Sequence, residues 1–74
     1  MNEADSLRAL FHTLNNQLGI ILSHAELLEA KATDDAQRAR ATQVVTTTLE
    51  ALATSRQIRH ALESAPPQVE APAP

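Results

Sequence analysis

Apolar residues recur along the first part of the chain at alternating intervals of four and three positions. They form what we call the first apolar stripe: Leu7, Phe11, Leu14, Leu18, Ile21, Ala25 and Leu28. Because an α-helix makes one turn in about 3.6 residues, this spacing places the whole stripe on one side of a helix. The pattern predicts a helix over about residues 4–30 that packs side by side with other helices.

A second helix is predicted over about residues 34–63, after a short turn at 31–34. Asp34 followed by Gln37 is a capping-box pattern, and Thr33 is the alternative cap. The apolar stripe of this helix is weaker and runs through Ala41, Val45, Thr48 or Leu49, Leu52, Ser55, Ile58 or Arg59, and Leu62. The β-branched run at 44–48 lowers helix propensity and makes a local strand the alternative, but the helical spacing on both sides outweighs it.

A short turn makes the two helices antiparallel neighbours, so the predicted fold is an all-α helical hairpin. Further apolar residues widen the stripe of the first helix: Leu10, Ile20, Leu22 and Leu27. A lone hairpin leaves much of this surface in water and forgoes about 25 cal/mol for each Å². We therefore expect a homodimer, in which two hairpins form a four-helix bundle with the first apolar stripe, Val45 and Leu52 in its core.

Composition narrows the class of protein. The chain has 74 residues, one aromatic side chain (Phe11) and no cysteine, which fits a single small domain without disulfides. A net charge of −3 argues against nucleic acid as a partner. No apolar run is long enough for a membrane span, and the acidic N-terminus lacks a signal-peptide core, so we expect a soluble cytoplasmic protein. The proline-rich segment 65–74 is predicted to be a disordered tail.

A polar row runs along the flank of the first helix. We call it the histidine row: Arg8, His12, Asn16, Gly19 and Ser23. Its members are polar or small, so His12 is expected on an open surface; by spacing alone it is an ordinary surface histidine. Gly19 indicates either a close approach of helices or room for a docking partner. His24 and His60 are expected at the surface, and because the histidines lack metal-ligand spacing, no metal site is predicted.

The residues around His12 resemble a known family. His12, Leu14, Asn15, Asn16, Leu18, the pair at 20–21 and the Ala-Glu-Leu-Leu ending at 25–28 match, without gaps, a signature of two-component sensor histidine kinases. The signature belongs to the phosphoacceptor helix of their dimerisation and histidine-phosphotransfer (DHp, HisKA-type) domain. The resemblance covers most of the first helix, whereas the second helix is similar only as an amphipathic helix.

This resemblance implies a dimeric four-helix bundle that exchanges a phosphoryl group between His12 and a receiver aspartate of a response regulator. The receiver supplies the Mg²⁺, and the chain itself binds no cofactor. Arg8, one turn before His12, is expected to help neutralise the phosphoryl group, and Asn16 to orient water for dephosphorylation. The residues expected to dock the partner are Asn15, Gly19 and Ser23.

Thr13 stands where active kinases of this family carry an acidic residue, and a threonine cannot act as the base that accepts the imidazole proton. The sequence also contains no glycine-rich ATP-binding segment. We therefore expect no autonomous kinase but a histidine phosphotransferase or response-regulator phosphatase. The alternative is a non-catalytic DHp-like protein that binds a response regulator or forms a heterodimer with a sensor kinase. A hairpin unrelated to signalling is the third interpretation.

Overall fold

The computed structural model describes residues 3–64, which form a hairpin of two helices. Helix α1 spans Glu3–Lys31 and helix α2 spans Asp35–Ser64. No strand occurs within the described residues, and the β-branched run at 44–48 is helical throughout, so the predicted all-α hairpin is confirmed. Neither helix combines the length and hydropathy that crossing a membrane requires. The predicted tail at 65–74 lies outside the described residues.

The turn between the helices is held by side-chain hydrogen bonds. The backbone N–H of Gln37 donates to Asp34 Oδ1 at 2.8 Å, so Asp34 is the N-cap of α2. Gln37 Oε1 in return accepts the backbone N–H of Thr33 at 3.1 Å, one residue earlier than in the usual capping box. The Arg38 guanidinium donates to the Ala32 carbonyl at 3.0 Å. These bonds tie the residues before α2 to its first turn and fix how the chain reverses.

Small side chains occupy the most buried positions between the two helices. On α2 the buried positions are spaced by seven residues: Ala41, Thr48 and Ser55. Thr48 faces inward, whereas the alternative stripe member Leu49 is exposed. On α1 the buried residue is Ala25, which is 2% exposed, with half-buried Phe11 and Leu18 in the same row. Most of the large apolar side chains are exposed at the flanks of the hairpin, and the half-buried ones on the two helices are Phe11, Leu18, Leu22, Val45 and Leu52.

The first apolar stripe is divided between two surfaces. Every second member turns toward α2, and the other members remain 39–66% exposed: Leu7, Leu14, Ile21 and Leu28. Large side chains of α2 are exposed to a similar extent: Val44, Ile58 and Leu62. Leu28 lines one surface pocket with Val44, and Leu7 lines another with Leu62, so both sets lie on the same side of the hairpin. We call these seven residues the outer apolar face.

Candidate functional site

His12 lies on α1 and is exposed to solvent. Ile21, in the middle of the outer apolar face, follows it by nine positions. At about 100° for each residue, nine residues bring the chain to the opposite side of the helix. A molecule that approaches His12 therefore does not meet the outer apolar face.

The surface beyond His12 is open. Asn16 and Ser23 of the histidine row are exposed, one and three turns further along α1. A Cβ added at Gly19 meets no atom within 4 Å, apart from the backbone of its own helix turn. Close approach of α2 therefore does not explain this glycine within one hairpin. Gly19 instead leaves free space about two turns from His12.

Arg8 occupies the predicted position one turn before His12, but its charge is shared. Its Nη1 lies 3.1 Å from Asp5 Oδ1, and the two side chains are 64% and 53% exposed. An ion pair with this much solvent contact contributes about 1 kcal/mol or less. The pair therefore opposes a move of the Arg8 guanidinium toward another anion only weakly.

A second arginine, on α2, lies at the His12 end of the hairpin. Arg59 lines an open cavity of about 390 Å³ together with Leu7, Arg8, Phe11, Leu62 and Glu63. By sequence, Arg59 is an alternative member of the weaker apolar stripe of the second helix. The antiparallel arrangement of the helices could have identified Arg59 as a residue near His12, because it puts the end of α2 beside the start of α1.

Two residues that follow His12 on α1, Thr13 and Asn15, differ in their exposure to solvent. Asn15 is half-buried, and its Oδ1 atom is buried without a hydrogen-bond partner. Of the other two predicted docking residues, Gly19 is half-buried as well and Ser23 is exposed. Thr13 is exposed and presents next to His12 a hydroxyl group, which cannot act as a base.

The other histidines are separate from this site. His24 and His60 are both exposed, His24 on α1 three turns beyond His12 and His60 on α2. Within residues 3–64, no three His, Asp or Glu side chains come together as a metal-binding group.

Comparison with known proteins yields no relative: no protein-family model, no curated protein and no solved structure matches the chain significantly. The residues of α1 and the geometry of the hairpin are therefore the basis for assigning a function.

Proposed function

We propose that this protein is a phosphotransfer module of a two-component system, in which His12 accepts a phosphoryl group from a receiver aspartate or returns it. The observation that supports this most is the position of the exposed His12 on the side of α1 opposite the outer apolar face. Two hairpins that pair through that face leave both histidines open to a receiver. A cytoplasmic location follows from a receiver as the partner.

The proposed assembly is a homodimer that forms a four-helix bundle. Among the described residues no large side chain is fully buried, and the outer apolar face exposes large apolar groups on both helices. Soluble monomers rarely leave such a contiguous apolar surface in water. A second copy placed on this face supplies the core that one hairpin lacks.

The proposed chemistry is direct phosphoryl transfer. A lone pair of a neutral imidazole nitrogen attacks the phosphorus of the aspartyl phosphate, the P–N bond forms, the P–O bond breaks and the carboxylate leaves. The other ring nitrogen then releases its proton to water. The receiver supplies the Mg²⁺, Arg8 helps to neutralise the phosphoryl oxygens, and Asn16 orients water when the receiver is dephosphorylated. No ATP-dependent step is proposed, because Thr13 cannot act as a base.

The direct test is incubation of the protein with receiver domains that carry a radiolabelled aspartyl phosphate. We expect acid-labile label on the wild-type protein and none on His12→Gln. His24→Gln is the matched control, because His24 is also exposed on α1, and it should take up label like the wild type. If a broad set of receivers shows neither label transfer nor faster loss of their phosphate, the proposal fails.

A second function is favoured by Thr13, which removes the carboxylate that active kinases of the family use beside the histidine. In this alternative the chain is a non-catalytic interaction protein that binds a response regulator or forms a heterodimer with a sensor kinase. Binding measurements separate the two functions. In the alternative, His12→Gln binds the partner with unchanged affinity and also leaves the cellular phenotype unchanged.

A further inference from the structure

Two buried polar atoms of the hairpin, one on each helix, have no hydrogen-bond partner. They are Asn15 Oδ1 on α1 and Ser55 Oγ on α2. Ser55 is only 3% exposed, so solvent does not satisfy its hydroxyl group. Buried polar groups in proteins are almost always hydrogen-bonded, and an unpaired one calls for a partner nearby.

Contacts at both ends of the hairpin define the register of the two helices. Near the turn, the Thr42 hydroxyl donates to the Glu29 carboxylate across the helix pair. At the open end, Phe11 and Arg59 line the same cavity. Between these two levels, one residue forward on α1 corresponds to one residue back on α2.

This register brings the two unpaired atoms to the same level. Asn15 follows Phe11 by four residues, and Ser55 precedes Arg59 by four residues. Ser55 continues the buried row of α2, and Asn15 Oδ1 is buried although its residue is only half-buried. The two groups without partners therefore belong to one layer of the hairpin, one helical turn beyond His12.

The two groups are also chemically complementary. An amide oxygen accepts a hydrogen bond, and a serine hydroxyl can donate one. If the amide turns over, its NH₂ group donates and the hydroxyl oxygen accepts, so both orientations allow pairing. The bond forms when a rotation of the two side chains brings these atoms within about 3 Å of each other.

We propose that Ser55 is a positioning residue whose hydroxyl group forms an interhelix hydrogen bond with the side chain of Asn15. This bond fixes the rotation of α1 about its axis at the turn that carries His12. It therefore sets the direction in which the imidazole points. The hydrogen bond itself is independent of the proposed phosphotransfer, whereas its role in positioning His12 rests on that function.

A double-mutant cycle tests the hydrogen bond. Asn15→Ala, Ser55→Ala and the double variant are unfolded in urea at one protein concentration. We expect the unfolding constants to depart about threefold to tenfold from additivity, which corresponds to the usual net contribution of one neutral hydrogen bond. Asn16→Ala combined with Ser55→Ala is the matched control and should be additive, because Asn16 is exposed on the outer side of α1. Additive effects in the Asn15 cycle would overturn the proposal.

The side-chain NH₂ resonances of Asn15 give a second measurement that does not require every variant to fold equally well. Relative to the wild-type protein, these resonances should shift in Ser55→Ala and return to their wild-type positions in Ser55→Thr. A threonine fits such a position, since Thr48 already occupies the equivalent buried place seven residues earlier. Unchanged resonances in Ser55→Ala would contradict the bond.

Phosphotransfer kinetics test the positioning role. Ser55→Ala should lower kcat for transfer from a phosphorylated receiver several-fold with little change in KM, and Ser55→Thr should restore it. Equal kcat in all three proteins would refute positioning and leave the hydrogen bond standing. If the wild-type protein shows no transfer at all, the proposed function and the positioning role both fail, while the unfolding cycle still decides the hydrogen bond.

Discussion

Two adjacent isoleucines on α1 allow the proposed dimer to be tested with one substitution and a matched control. Ile21 belongs to the outer apolar face and is 47% exposed, whereas Ile20 is 59% exposed and lies about 100° around the helix from Ile21. Both residues are in the same helix and lose the same atoms on substitution by alanine. We expect Ile21→Ala to weaken the dimer and Ile20→Ala to leave it unchanged.

The size of the effect follows from the surface of Ile21 that the dimer covers. Complete burial of an isoleucine side chain contributes about 1.5–3 kcal/mol. Since 47% of Ile21 is still exposed in the hairpin, covering it contributes about 0.7–1.4 kcal/mol for each copy. A dimer contains two copies, so the loss is about 1.4–2.8 kcal/mol, which raises Kd about tenfold to a hundredfold. Alanine also has a higher helix propensity than isoleucine, and this gain is the same at both positions.

Sedimentation equilibrium over a dilution series measures Kd for the wild type and the two variants. Circular dichroism at the same concentrations verifies that helix content is maintained where the dimer persists. Equal changes in Kd for Ile20→Ala and Ile21→Ala would show that the outer apolar face is not the dimer contact. A wild-type protein that remains monomeric at millimolar concentration would refute the dimer altogether.

Substitutions at three further positions probe the hairpin itself, each measured by urea unfolding at a fixed concentration. Gly19→Ala should stabilise the protein by about 1 kcal/mol, because the added methyl group meets no atom and alanine is the better helix former; destabilisation would show that this surface is occupied in the assembly. Asp34→Ala should lower the free energy of unfolding by about 1 kcal/mol, because the N-cap of α2 is lost. Asp34→Asn should keep most of this stability, since asparagine is also a good N-cap. Arg8→Gln should change stability by less than about 1 kcal/mol, since its ion pair with Asp5 is exposed, and a larger loss would contradict that description.

The helices and the turn were predictable because local rules determine them. The alternating spacing of four and three in α1 has no counterpart in a strand, which repeats every two residues. Asp34 and Gln37 cap the second helix through bonds between residues three or four apart, so the sequence alone contains both partners. The β-branched run at 44–48 was the one local conflict, and packing of α2 against α1 outweighs it.

The division of the first apolar stripe was not predictable in the same way. Leu14 and Leu18 are chemically identical, yet Leu18 turns toward α2 and Leu14 is more exposed. Which of them faces the partner helix depends on the rotation of α1, and the turn and the opposing side chains determine that rotation. Hydropathy was equally uninformative on α2, where Thr48 is buried and the more apolar Leu49 is exposed.

The candidate site shows the same limit of local patterns. The spacing of the histidine row correctly predicted that His12 is accessible, because that property depends on one helix alone. The proximity of Arg59 to Arg8 and the burial of Asn15 Oδ1 depend on both helices and their register. Such relations have no signature in either helix taken by itself.

The small residues between the helices also bear on why the chain would form a dimer. A hairpin that was stable alone would place its largest apolar side chains between its two helices, where one partner can cover them. Here the buried positions of α2 are alanine, threonine and serine, while Val44, Ile58 and Leu62 lie on the flank. That distribution leaves the apolar area needed for a core on the surface that a second hairpin would cover. The same rotation of α1 that exposes Leu14 and Ile21 on this side turns His12 to the other side, so pairing through the outer apolar face leaves the imidazole accessible.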